Sequence, residues 1–411
     1  MAGGCLEHPH LERTRLEHPC LGRAAVSVSI RVASSPGEAH VAVVDDNQLL
    51  DYALWRPGSP DGVGDVHRGR VIALVPGMAG AFVALAGAEG FLPDSEGAKG
   101  LTSGSILTVR VTRAAQGNKG PRLSARVDEL APDKPTLDAP AWDGPALDEP
   151  ASGGPIALLR RGPDPVSRLA ARYPGAPVLV DDASVAAALR PGVQATVVRS
   201  VLDENIADAI EALSRHSVEL PGGATLSIWP TPALVAIDVD AGGSVTGSGG
   251  ARLRHEALNR AVLPALAGQI RLRNLSGAIV ADLAGLSPRK RAALGPDFIA
   301  ALAKDPLHPR FLGFTALGLA EIVRPRIHPP LHELLAGALA QGLAALRAVV
   351  AEFSRDPRGM PAIRAHHTVV AALHADPVAL PDVVRRTGRQ VTLRSDPSLP
   401  ATAWVLEKDH G

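Results

Sequence analysis

At 411 residues and 46% hydrophobic content, the chain is too long for one compact core, and two or three domains are expected. Lys plus Arg equals Asp plus Glu at 42 each, which excludes bulk positive charge as a means of holding a polyanion, so any such affinity must come from local patches. The two cysteines, Cys5 and Cys20, leave the body without a disulfide framework or a cysteine zinc site, which fits a reducing cytoplasm, and the lack of a run of roughly 18 apolar residues argues against a membrane span.

In chain order, residues 6–25 read LEHPHLERTR and then LEHPCLGRAA, a near-repeat with little apolar periodicity, and 1–25 are expected to be a disordered extension. From Val26 to Trp55 the pattern alternates, and two strands joined by a turn at Pro36-Gly37 are predicted. Residues 64–127 hold several short strands between glycine turns, which points to a small barrel. Residues 128–155 are rich in Pro, Asp and Ala without apolar period and read as a linker.

Beyond it, PVLVDD reads as a strand, ASVAAALRPG and NIADAIEALSRHS as helices, and VELPGGATLSIW as a hairpin closed by Pro221-Gly222-Gly223. LVAIDVD then forms a buried strand, followed by a glycine-rich loop at 242–250, a helix from about 251 to 270, and the strand GAIVAD. Single helices are predicted over 287–304 and 331–353, with PDVVRRTGR as helix and QVTLRS as strand in a small C-terminal α/β unit.

Chemistry concentrates at the ends of those apolar strands. Asp238 and Asp240 stand two apart, so their side chains project from the same face, and Asp282 ends a later strand, so three carboxylates are placed to converge. Magnesium takes oxygen ligands, keeps several waters and needs only one or two protein carboxylates, which suits metal-assisted phosphodiester cleavage. An Asp at a strand end is also an ordinary turn or helix-cap residue, and the residues alone leave both readings open. GGSVTGSGG lacks the G-x-G-x-x-G register of a dinucleotide fingerprint, and the aspartates before it would repel a pyrophosphate, which counts against a nucleotide-dependent oxidoreductase.

The run VELPGGATLSIWPTPALVAIDVDAGG, continued by ALNRAVLPALAGQIRLRNLSGAIVADLAGL, resembles the catalytic core of the ribonuclease E/G family, which shows "LPSGG", "AIDVN" and "QLRLRDLGGLIVIDF". Upstream, Gly80-Ala81-Phe82-Val83, Gly90-Phe91-Leu92-Pro93 and Gly117-Asn118-Lys119-Gly120 resemble signatures of the OB-type, S1-like domain that the family inserts near its N-terminus. The resemblance implies a magnesium-dependent endoribonuclease acting on single-stranded RNA in RNA processing or decay, with Asp238 and Asp282 as metal ligands. Asp240 stands where the best-studied members have asparagine, and would position water or metal. Phe82, Phe91, Lys119, Arg271 and Arg273 are the implied RNA contacts, the aromatics by base stacking. GLAEIVRPR, residues 318–326, matches "GLLEMSRQR", with Glu321, Arg324 and Arg326 as structural ion-pair partners.

By the same resemblance the fold is mixed α/β. A disordered extension occupies 1–25, an RNase H-like scaffold 26–63 and 156–217, and the OB-type barrel 64–127. The linker takes 128–155, a DNase I-like catalytic subdomain 218–326, and a C-terminal helix with a small α/β unit 327–411. Two family features are missing: the linker stands where the family has its 5′-monophosphate sensor motif "RTAG", and RIHPPLHELL replaces the "CPRC" zinc link. Any homo-oligomer would therefore form without a cysteine zinc link, and cleavage independent of a 5′-monophosphate is expected. The loop at 241–251 also lacks the family's arginines, and an RNA-binding relative with weak or lost catalysis is the alternative function. His328 and His332, split by two prolines, and His366, His367 and His374 read as ordinary histidines rather than metal ligands.

Overall fold

The computed structural model describes residues 28–117, 119–127, 154–220, 223–242 and 251–407, the side chains of 251–255 excepted. The expected extension at 1–25, nearly all of the linker, Asn118, Pro221, Gly222 and most of the glycine-rich loop lie outside the described residues. Among those described, no helix is long and apolar enough to cross a membrane.

The first unit is a five-stranded sheet in the order Ala195–Val197, Val178–Val180, Val28–Ser35, Glu38–Asp45 and Gln48–Trp55. The segment up to Trp55 therefore forms three strands, not two. Asp46, at φ 50°, supplies a second turn that apolar alternation could not reveal, because Asp is among the few residues that tolerate a left-handed backbone. Ile30, Val32, Val41 and Val43 point into a core closed by the helix Pro165–Arg172, whose first turn is capped by Asp164 accepting from the Ser167 N–H at 2.8 Å.

A closed five-stranded barrel follows, built from Val66–Val75, Gly80–Leu85, Ala88–Pro93, Arg122–Ser124 and Ile106–Arg113. Its inside is filled by Val71, Ala81, Val83, Leu92, Val109, Val111 and Leu123, one residue in two along each strand. Glycine is required at two of its turns and crossings. A Cβ on Gly80 would meet the Phe91 ring at 2.5 Å, and one on Gly120 would run into the Glu89 carbonyl. The strand Ala157–Arg160 bonds to Val66–Val75, so the chain leaving the linker rejoins the barrel rather than the scaffold assigned to 156–217.

The third unit is a six-stranded sheet in the order Ser217–Glu219, Thr225–Pro230, Val235–Asp240, Gly277–Asp282, Ala320–Arg324 and Arg310–Phe314. Only the central pair, Val235–Asp240 with Gly277–Asp282, is parallel, and its crossover is the helix Ala251–Leu272. That helix and Gly295–Leu302 cover one face, burying Leu226, Ile228, Ile237, Val239, Leu263, Leu266, Ile270, Ile279 and Phe298. The helix predicted over 287–304 divides into Pro288–Ala292 and Gly295–Leu302, because Pro296 has no N–H to bond back across the junction. The one predicted over 331–353 divides at Gly337 (φ 99°) into Leu331–Leu335 and Ala338–Arg355. The second of these, with helices His367–Ala375 and Ala379–Thr387, packs on a three-stranded sheet of Leu393–Ser395, Ala362–Ala365 and Trp404–Glu407.

Candidate functional site

The strand Val235–Asp240 buries Val235, Ile237 and Val239 beneath the helices, and period two then leaves Asp238 and Asp240 exposed on the opposite face. Asp238 is the register partner of Asp282 across the parallel pair, and Asp282 is likewise exposed. Two carboxylates 44 residues apart in sequence thus share one exposed face of the sheet.

The expected third member, Asp240, stands two residues further along the same strand and on the same face. Asp240 turns an oxygen back to accept the Gly242 N–H at 3.0 Å, and among the described residues no group of three His, Cys, Asp or Glu side chains is gathered for a metal ion.

Two residues that the sequence did not single out support the pair. Arg291 lies 3.4 Å from Asp282 and donates to the carbonyls of Leu283, Leu286 and Gly318, binding the loop after Asp282 to the neighbouring turn. Asn259, fully buried in the crossover helix, donates to the Ala284 carbonyl at 2.8 Å. The polar spacing of that helix carried no sign of Asn259, since its partner is a backbone group 25 residues away.

Arg271 and Arg273 were expected at an RNA backbone, and Arg273 is corrected. It is 6% exposed, and its guanidinium donates to the Gln269 side chain at 2.9 Å and to the carbonyls of Arg215 at 2.6 Å and Ala212 at 3.1 Å. It closes the C-terminal end of the helix Glu204–Ala212, whose last carbonyls need donors, and burial pushes its pKa down to about 10. Arg271 is half-buried, donates to the Leu50 carbonyl at 2.7 Å, and lines a cavity of about 410 Å³ between the first sheet, the barrel base and the six-stranded sheet. It therefore faces this junction and not the acidic pair. The cavity wall also holds Asp51, whose carboxyl is raised above its ordinary value by burial, against the pull of Arg172 and Arg271.

On the barrel, Phe82 and Phe91 are register partners on the face opposite the core, half-buried and edge-to-face with ring centroids 5.6 Å apart. Arg122, exposed, is the register partner of both Phe91 and Arg113. Burial lowers the Arg113 guanidinium from its ordinary value, and the like charges of Arg122 and Arg326 add to the shift. Lys119 is exposed on the adjoining hairpin, closed by paired Gln116 and Lys119 backbone bonds over Gly117 at φ 53°. The outer face thus combines an aromatic pair with a cluster of cations. Arg113 and Arg122 escaped notice because sequence spacing does not show which strands become neighbours in a barrel.

The remaining candidates are structural. Arg324 forms a buried pair with Asp305 at 2.7 Å, Arg326 pairs with Glu333 at 2.6 Å, and neither uses Glu321. His328 bonds Asp61 at 2.6 Å, and His366 caps the helix His367–Ala375.

Residues 189–327, which include the whole acidic pair, match the model of the Ribonuclease E/G family. Ribonuclease E of Nostoc sp. is 36% identical over 127 residues, 31% of this chain and 18% of that protein. Ribonuclease G of Escherichia coli is 31% identical over 134 residues, 32% of this chain and 27% of that protein. A longer alignment, 24% identical over 395 residues, joins 73% of this chain to 42% of ribonuclease E from Haemophilus influenzae. The chain thus spans less than half the length of these relatives, and the part of it that carries the acidic pair, residues 189–327, is similar to the ribonuclease E/G family.

Proposed function

We propose that the chain is an endoribonuclease that cuts single-stranded RNA with a magnesium ion held by Asp238 and Asp282. The observation that carries the reading is the register pairing of these two exposed aspartates inside the family-matched segment. Two carboxylates offer the hard oxygen donors the ion prefers and leave its other positions to water, so the donor set fits. When bound, the ion would activate water and offset charge on phosphorus.

The chain's own residues supply the rest. Asp240, tethered to Gly242 through one oxygen, would orient the attacking water with the other. The pair formed by Phe82 and Phe91 would stack an RNA base, and Lys119, Arg113 and Arg122 would meet its phosphates. Arg291 would hold the Asp282 carboxylate in place while the ion is exchanged. On this reading residues 26–63 form part of an RNase H-like scaffold, 64–127 the RNA-binding barrel and 218–326 the DNase I-like catalytic subdomain, acting in the cytoplasm.

The test is a labelled single-stranded RNA incubated with the full chain, with magnesium or with EDTA, beside an Asp238→Asn/Asp282→Asn variant. Cutting that needs the metal and vanishes in the variant is expected. Cutting that survives in the variant, or RNA that is bound but never cut by the native chain, would overturn the reading.

A further inference from the structure

Trp229 is exposed over 53% of its surface, in a chain with only four tryptophans. Its strand, Thr225–Pro230, sends Leu226 and Ile228 into the core and turns Ser227 and Trp229 to the other face. That is the face of the acidic pair, because Ser227 is the register partner of Asp238, and Trp229 is the partner of Ala236. Two residues along one strand and one strand across put the Trp229 backbone roughly 8 Å from that of Asp238. Between them the floor consists of Ser227 and Ala236, side chains too short to block an extended strand lying across it.

The indole is also held. The His216 ring stacks against it almost parallel, centroids 4.4 Å apart and planes 10° apart. His216 is in turn fixed by its Nδ1 against the Ile228 carbonyl at 3.0 Å and by the Ile228 N–H bonded to its own carbonyl at 2.8 Å. One indole face is covered while the residue as a whole stays largely in solvent. A rigid, half-sandwiched aromatic costs little entropy when a second planar group is added.

From this geometry we propose that Trp229, backed by His216, is a stacking subsite for one RNA base next to the phosphodiester that a metal ion on Asp238 and Asp282 would hold. The proposal rests on the nuclease reading and deepens it. The immediate surroundings favour a base over a phosphate, since the same-face neighbours of Trp229 on its own and the next strand are the uncharged Ser227 and Ala236 and the acidic Asp238. Stacking is indifferent to base identity, so the subsite positions the strand without imposing a sequence.

The test measures binding alone, with calcium in place of magnesium so that the acidic pair still holds a divalent ion, of the full chain to a short labelled single-stranded RNA and to a series carrying one abasic position each. Trp229→Ala should weaken binding roughly 5- to 150-fold, the weight of one stacked base, while Trp229→Phe stays close to the native chain. One abasic position should weaken the native chain but leave Trp229→Ala unchanged. Unaltered binding by Trp229→Ala, with Phe82→Ala still weakened, would remove the subsite and leave the nuclease reading standing. A Trp229→Ala loss that adds to every abasic position equally would mean a purely structural residue and would overturn the proposal. If the native chain binds no RNA, both the subsite and the nuclease reading fall.

Discussion

Replacing Phe82 by alanine separates the two roles an aromatic in a barrel can have. The ring lies on the side away from Val71, Val83 and Leu92, half-buried, and its aromatic partner is Phe91 at 5.6 Å. The loss in stability should therefore be the edge-to-face term and some surface, about 1–2 kcal/mol, where a true core phenylalanine would cost about 3–5 kcal/mol. The loss in RNA affinity should be that of a stacked base, about 1–3 kcal/mol, or roughly 5- to 150-fold in Kd. Fluorescence anisotropy with a labelled single-stranded oligonucleotide in EDTA gives the second number, and thermal unfolding of the same protein gives the first. A variant that is strongly destabilised yet binds RNA as before would refute the reasoning, because it would show Phe82 to be part of the barrel's packing and not of its RNA face.

Arg324→Met should strand the Asp305 carboxylate, whose partner lies 2.7 Å away with both side chains 3% exposed, and cost about 3–5 kcal/mol. Calorimetry should show the transition of the six-stranded unit lowered, with Asp305→Leu added to Arg324→Met restoring part of the loss; a melting profile unchanged by the single variant would contradict this. Burial depresses the pKa of His40 below 6.5, and the ring lies 2.7 Å from the Tyr52 hydroxyl. The folded state therefore binds fewer protons than the unfolded one in that window, so the histidine's contribution is complete above pH 6.5 and is lost as pH falls through the depressed folded value. Unfolding by urea between pH 7.5 and 5 should show stability dropping on the acid side, with a shallower fall in His40→Asn; equal slopes would exclude His40 as a contributor.

Alternation and turn chemistry carried most of the elements. The strands holding the two key aspartates were legible because an apolar run of period two states which residues face a core, and the acids were the exceptions on the other face. The barrel was legible from its glycine turns, although the steric need at Gly80 and Gly120 comes from Phe91 and Glu89 on a neighbouring strand. Helix ends failed where one residue interrupts a continuous apolar pattern, as Pro296 and Gly337 do.

What the sequence by itself determined is local: where the chain turns, which side of each strand is apolar, and that acids end two of those strands. Only the tertiary structure decided which of the charged and aromatic residues meet. Arg273 spends its guanidinium on carbonyls 58 and 61 residues away, Arg113 and Arg122 become neighbours by barrel closure, and His216 comes to rest on Trp229. A long side chain's partner is set by the docking of separate elements, and that docking depends on the summed packing of whole faces rather than on any spacing along the chain.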